Sequence, residues 1–175
     1  MIKTISIKNF TLIDNIEINF SNGLNLLTGE TGAGKSIIVD ALMILLGERA
    51  SSDLVREGTA KAILEAVFEI QPTHPSVKIL VDNEIEFETN DFIIRREISA
   101  KGSSRCFIND TPVSVNTLKK IGDLLVDFHG QHDHQLLLDS NSHLNILDSV
   151  AGNDRLILEF RTLYDKLKSE ISNME

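Results

Sequence analysis

The chain has 175 residues, 42% of them hydrophobic, and a formal net charge of -9. This size and composition predict one substantial globular core, and the acidic balance argues against a surface that binds nucleic acid all over, because phosphate backbones select clustered Lys and Arg. No secretory or membrane signal is expected, because the longest apolar stretch, 37–46, contains Asp40 and is too short to cross a bilayer. The single cysteine, Cys106, predicts a small core residue in a reducing, cytoplasmic compartment.

Alternation of apolar and polar residues predicts most of the strands. Each of these segments places every second side chain on one face, which is typical of antiparallel strands with one buried face. The turn at 100–103 separates two of them and predicts a hairpin. The predicted strands are 5–7, 16–20, 64–70, 92–98 and 104–109.

Two further segments are predicted from other signals. The stretch 72–90 holds two prolines and several acidic residues, which favours a solvated loop or a sheet edge. A helix is expected to begin at Ser114 and to lead into an apolar strand at 124–128.

A phosphate-binding motif stands in the first third of the chain. It matches every fixed position of G-x-x-x-x-G-K-[ST], and it lies between an apolar run at 24–27 that predicts a buried strand and a buried helix predicted at 37–46 that ends at Gly47. The glycines let backbone N–H groups converge on phosphates, Lys35 would reach the β and γ phosphates, and the Ser36 hydroxyl would ligate Mg²⁺. The alternative is a glycine-rich turn that carries Lys-Ser by coincidence. The motif comprises Gly29, Glu30, Thr31, Gly32, Ala33, Gly34, Lys35 and Ser36.

The segment 128–135, FHGQHDHQ, is rich in groups that bind metals or orient water. One interpretation is a histidine metal site, although no outlying Cys or carboxylate pattern supports it. A second takes Asp127 as a Walker-B carboxylate that ends the strand at 124–127 and holds Mg²⁺. A third makes Gln131 the Q-loop residue, whose amide oxygen approaches Mg²⁺ and the attacking water. The candidate metal ligands of the first interpretation are His129, His132 and His134.

An amphipathic helix is predicted at the end of the chain. Its apolar residues recur every three or four positions with charges between them, which indicates either the first turns of a coiled coil or a terminal helix that packs on its own domain. These residues are Leu156, Phe160, Leu163, Leu167, Ile171 and Met174.

Four stretches of the chain together resemble a known family. IKNFTLIDNIEINFSNGLNLLTGETGAGKS, LGERASSDLVREGTAKAILEAVF, RREISAKGSSRCFIND and LLVDFHGQHDHQLLL are similar to the amino-terminal head half of a bacterial RecN-type DNA-repair ATPase. The resemblance implies an α/β P-loop NTPase of the ABC/SMC head type, with a mixed sheet, an antiparallel β-subdomain and the root of a coiled coil. Residues 1–150 would be the amino-terminal lobe of the head and residues 151–175 the start of the coiled-coil helix.

The same resemblance implies a function and a set of partners. The family's head binds ATP and Mg²⁺ and hydrolyses ATP, with Lys35 and Gln131 as the catalytic candidates and Ser36 and Gln131 next to the metal. It acts on double-stranded DNA at breaks, in the bacterial cytoplasm at the nucleoid, and its heads pair as a homodimer. Arg56 matches an arginine that SMC-like heads place near nucleotide or DNA; a solvated arginine at a helix end is the alternative.

The chain departs from the family pattern in what it lacks. It contains no LSGG-type segment, no Asp-Glu pair after an apolar strand and no switch histidine after such a pair. In the family these lie in the carboxy-terminal lobe, so we expect this chain alone to bind ATP without hydrolysing it. A stand-alone P-loop NTPase or kinase that uses Asp127, and a non-catalytic interaction module that dimerises through its last helix, are the alternatives.

Overall fold

The computed structural model describes residues 1–29, 34–87, 91–128 and 143–172. The chain divides into two compact units, Met1–Asp127 and Phe128–Glu175.

Six antiparallel strands form one sheet in the first unit. Their order across the sheet is β2-β1-β3-β4-β5-β6, and every described pair of neighbours is antiparallel. The first five confirm the strands predicted from alternation, whereas β6 was not predicted because it is three residues long and contains Pro112. The strands are β1 (Ile2–Phe10), β2 (Ile13–Asn19), β3 (Lys61–Glu69), β4 (Asp91–Ser99), β5 (Ser104–Ile108) and β6 (Thr111–Val113).

One face of this sheet carries the apolar core. Register pairs Ile5 with Ile18 and Ala66 with Ile94, so inward side chains of neighbouring strands stand side by side. Phe68 and Phe92 stack with ring centroids 5.8 Å apart at one end of this face. The predicted antiparallel subdomain is therefore present, and no parallel pair occurs among the described strands.

Three helices accompany the sheet: α1 (Lys35–Leu45), α2 (Pro75–Asp82) and α3 (Val115–Leu125). Helix α1 packs against β1, β3 and β4, while α3 packs against β5 and α2. Helix α3 begins as predicted, with the Ser114 side chain accepting a hydrogen bond from the Thr117 N–H at 3.0 Å. A single 3₁₀ turn, Ser52–Leu54, follows α1.

Helices α1 and α3 approach each other closely at two glycines. A Cβ placed on Gly122 would lie 2.9 Å from the Leu46 Cβ and closer still to the Leu46 carbonyl oxygen, and one on Gly47 would lie 2.6 Å from the Lys119 Cα. Gly47 also has φ +116, a conformation that favours glycine. Only glycine fits this crossing without moving a backbone.

Two predicted strands are wrong. Residues 24–27 form no strand, and Leu24 and Leu26 are 85% and 77% exposed. A buried strand needs a hydrogen-bonded neighbour, and no described strand pairs with this run. The apolar segment 124–128 is not a strand either, because α3 continues through Leu125 and Val126 is its C-cap.

The loop predicted at 72–90 contains a helix. Pro75 occupies the first turn of α2, and the His74 side chain accepts a hydrogen bond from the Ser76 N–H. Leu80 is fully buried, which anchors the helix to the core. Proline at the first helical position starts a helix, and the prediction treated it only as a helix breaker.

The second unit consists of two described helices, α4 (His143–Ala151) and α5 (Asp154–Ser172). Helix α5 confirms the predicted amphipathic helix. The predicted stripe residues Leu156, Phe160, Leu163, Leu167 and Ile171 are more than half exposed, while the predicted Met174 lies outside the described residues. Phe160 stacks on Tyr164 with ring centroids 6.0 Å apart. None of the described helices is both long enough and apolar enough to cross a membrane.

The glycine crossing generates a stability prediction. Gly122→Ala should lower the free energy of unfolding by about 1–3 kcal/mol, because overpacking forces α3 away from Leu46. Urea unfolding monitored by circular dichroism measures this. Lys120→Ala on the exposed side of α3 is the matched control and should change stability by less than about 0.5 kcal/mol. Equal stabilities of the Gly122→Ala variant and the wild type would contradict the close packing.

Candidate functional site

The described part of the phosphate motif lies at the amino end of α1. Gly34 is the N-cap of that helix and has φ +92, so the chain turns through a left-handed conformation immediately before Lys35. A Cβ at Gly34 would meet no atom within 4 Å. The glycine is therefore required by backbone conformation, as expected for a loop that directs N–H groups toward one point.

The helix start is electrostatically suited to an anion. No side chain caps α1, and its first turn contains no acidic residue. The first N–H groups of a helix have no acceptor within the helix, and the helix dipole adds positive potential there. Phosphate oxygens are the natural acceptors for such groups.

Two side chains with predicted phosphate and Mg²⁺ roles lie at this end of α1. Lys35 is partly buried, and its Nζ donates a hydrogen bond to the Gly29 carbonyl oxygen. Ser36 is exposed at the same end of α1. The structure thus places Gly34, Lys35 and Ser36 at the amino end of α1, with Gly29 within hydrogen-bonding reach of Lys35, and their roles as phosphate and Mg²⁺ ligands stay predictions.

Other predicted site residues lie outside the described residues. These are Glu30, Thr31, Gly32, Ala33, Gln131, His129, His132 and His134. Their roles remain predictions. Within the described residues, no group of three His, Cys, Asp or Glu side chains is placed to hold a metal ion.

Arg56 follows the 3₁₀ turn and is tied to the β1–β2 hairpin. Its Nη1 lies 3.2 Å from the Asp14 Oδ1, and its backbone N–H donates to the Asn9 carbonyl oxygen at 2.9 Å. The Arg56 side chain is 39% exposed and that of Asp14 is 80% exposed, so this ion pair contributes at most about 1 kcal/mol. The arginine is held in place but accessible, and its role stays a prediction.

The opposite end of α1 holds a buried charge that sequence reasoning missed. Arg96 on β4 is 2% exposed; its Nη1 donates hydrogen bonds to the carbonyl oxygens of Ile44 and Glu48, and its Nε donates to the Ser104 Oγ at 3.0 Å. Burial lowers the pKa of the Arg96 guanidinium, against the opposing influence of Cys106 and Glu48, yet arginine stays charged in proteins. The signal was available, because alternation along β4 places Arg96 on the inward face.

Cys106 lies beside Arg96 and is buried, which confirms its prediction as a core residue. Burial raises the pKa of its thiol, and the nearby Arg96 offsets this in part. Burial therefore disfavours the thiolate, which is the nucleophilic form of cysteine.

Comparisons with known proteins agree with this geometry. The model of the RecF/RecN/SMC N terminal domain matches residues 1–128, which is most of the chain. The chain belongs to this family. Among its relatives, the DNA repair protein RecN of Bacillus subtilis is 46% identical over 152 residues, covering 87% of this chain and 26% of that protein. RecN of Vibrio cholerae is 38% identical over 175 residues, covering 100% of this chain and 31% of that protein. The resemblance to RecN-type proteins is confirmed, and the chain spans less than a third of their length.

Solved structures of the family share the fold. The Smc head domain of Pyrococcus furiosus, solved with an extended coiled coil and bound to the C-terminal domain of ScpA, superposes with a TM-score of 0.65 at 20% identity, covering 98% of this chain and 47% of that one. The ATP complex of the recombination mediator RecF superposes with a TM-score of 0.54 at 17% identity, covering 95% and 43%. The chain therefore has the P-loop ATPase fold of SMC heads and RecF.

Proposed function

We propose that this chain is the ATP-binding half of an SMC-like ATPase that acts in DNA double-strand break repair and recombination, in the bacterial cytoplasm at the nucleoid. The observation that carries the proposal is the left-handed turn at Gly34 leading directly into α1 with Lys35 and Ser36, in a chain of the RecF/RecN/SMC family. The similarity to RecN proteins over most of the chain supports the repair role.

The residues at this helix start suit ATP and Mg²⁺. Uncapped N–H groups and Lys35 would bind the phosphates, while the Ser36 hydroxyl and the Gln131 amide oxygen would bind the metal. Bound Mg²⁺ would neutralise charge on the phosphate oxygens. Glu30, Thr31, Gly32 and Ala33 would complete the loop around them, and Gln131 would orient the attacking water.

A carboxy-terminal lobe would complete the head. The exposed apolar run at 24–27 supports this, because three leucines that are 85%, 77% and 48% exposed stand directly before the phosphate loop and need a covering element. The missing LSGG, Asp-Glu and histidine elements are the groups that position water and stabilise the transition state. We propose that they come from this lobe and from the opposing head of a homodimer, which would then engage double-stranded DNA.

The coiled-coil assignment rests on α5. Its 19 residues present a continuous apolar stripe that nothing described covers, as at the root of an antiparallel coiled coil. We propose the division into a head lobe at 1–150 and a coiled-coil start at 151–175.

The stand-alone NTPase is not favoured. A Walker-B carboxylate follows a buried strand, whereas Asp127 follows the end of α3 and the cap residue Val126. The strand on which that interpretation depended is not present, so we do not assign Asp127 a catalytic role.

Lys35 provides the first test. In a protein that joins this chain to its carboxy-terminal lobe, Lys35→Ala should abolish ATP turnover, because the cation on the β and γ phosphates is lost. Steady-state phosphate release measures this. Lys120→Ala, an exposed lysine on α3, is the matched control and should leave turnover unchanged. Wild-type turnover in the Lys35→Ala variant would remove the phosphate-loop assignment.

The second test concerns the chain alone. Mixed with ATP, Mg²⁺ and DNA, it should show negligible hydrolysis, because these 175 residues contain no LSGG-type segment, Asp-Glu pair or switch histidine to complete the reaction site. Adding the carboxy-terminal lobe should restore turnover, and the rate should rise more than linearly with protein concentration if active sites form between two heads. If the 175-residue chain alone hydrolyses ATP robustly and Asp127→Asn abolishes this activity, the stand-alone NTPase is the correct interpretation instead.

A further inference from the structure

We propose that Arg96 is a positioning residue for the nucleotide site: it sets the direction of the phosphate-loop helix α1 by clamping the carboxyl end of that helix to the sheet. The inference rests on the proposed function, because it assigns a remote residue to the same ATP site.

Arg96 joins the carboxyl end of α1 to the sheet. The Arg96 guanidinium is 2% exposed and forms hydrogen bonds to three groups on different parts of the fold: the Ile44 carbonyl in the last turn of α1, the Glu48 carbonyl after it, and the Ser104 hydroxyl on β5. A planar guanidinium presents its donors in a fixed geometry, so the clamp constrains angle as well as distance. Lysine has one charged nitrogen and cannot reproduce this fork.

Arg96 also matches the helix dipole of α1 electrostatically. The carboxyl end of a helix carries partial negative charge, and α1 has no basic residue of its own in its last turn. Arg96 supplies that charge from the sheet. The amino end of α1 would bind phosphates. The negative ligand would thus lie at the positive end of the helix dipole, and the positive Arg96 lies at its negative end.

Burial differs between the two halves of α1. Ala41, Ile44 and Leu45 are buried, whereas Ser36, Val39 and Asp40 toward the amino end are exposed. Helix α1 is thus most deeply buried in its carboxyl half, while toward its amino end Ile37 and Ile38 are only partly buried. An 11-residue helix is about 16 Å long, so a small rotation at the clamp displaces the N–H groups at Lys35 and Ser36.

The carboxyl end has a second attachment that serves as a control. The Lys119 Nζ lies 2.8 Å from the Glu48 Oε1, joining α3 to the segment that follows α1 through partly exposed side chains. This ion pair touches the same segment as Arg96 but does not reach the Ile44 carbonyl. A role of Arg96 in aiming α1 therefore predicts different effects of losing the two cations.

The test compares Arg96→Lys, Ser104→Ala and the control Lys119→Met in this chain. Each variant is titrated with a fluorescent ATP analogue and Mg²⁺ well below its melting temperature, which is measured separately. Arg96→Lys should weaken binding about three- to tenfold and Ser104→Ala about twofold, while Lys119→Met binds as the wild type does.

The outcomes separate the hypotheses. If Arg96→Lys lowers the melting temperature but binds nucleotide with wild-type affinity, the residue is only structural and the inference is overturned. Equal weakening by Lys119→Met overturns it as well. If Arg96→Lys does not fold, Ser104→Ala decides, and wild-type affinity in that variant contradicts the clamp. A wild-type chain that binds no analogue would instead contradict the proposed function, and this inference with it.

Discussion

The attachment of α1 to the sheet is the constraint on which the candidate site depends. A phosphate loop works only when the helix behind it holds its first N–H groups in a fixed direction, and α1 is held mainly along its carboxyl half. There the buried guanidinium of Arg96 joins the helix to β4 and β5, and Gly47 and Gly122 let α3 approach without a gap. The amino half of α1 is less deeply buried and would face the ligand.

A buried charge at this junction has an energetic logic. Desolvating an unpaired guanidinium costs several kcal/mol, so it is tolerated only when its donors are satisfied. The Glu48 carbonyl after α1 needs a donor for the same reason, whereas the Ile44 carbonyl accepts from the Gly47 N–H as well as from Arg96. The guanidinium gains acceptors and the two carbonyl oxygens gain a charged donor. The arrangement is specific, because these hydrogen bonds form only when β4 and the end of α1 are both correctly placed. An apolar residue in place of Arg96 would leave those carbonyls buried without this partner.

Sequence reasoning succeeded where local pattern and tertiary structure agree. The alternating strands and the amphipathic helices α3 and α5 follow from periodicity, because one face is buried in β1, β3, β4 and β5, one face of β2 is partly buried, and α3 carries one apolar stripe. It failed at 24–27 and 124–128, where apolar runs resemble strands but lack a neighbour to pair with. It missed α2, because Pro75 at the start of a helix was taken as a sign of a loop. It also missed Arg96, because the hydrogen-bond acceptors that explain a buried charge there are carbonyl oxygens of a distant helix end, which sequence pattern does not show. The phosphate motif was predictable because its function is encoded in consecutive residues.

The central claim is that α1 is fixed at its carboxyl end by the β-subdomain and binds phosphate at its amino end. Hydrogen exchange of the α1 amides, measured with and without Mg²⁺ and ATP, tests this most directly. The account predicts that the amides of Ile44 and Leu45 are strongly protected in both conditions, whereas those of Lys35, Ser36 and Ile37 gain protection only with nucleotide. Uniform protection along α1 without nucleotide, or no change at its amino end when nucleotide is added, would contradict it.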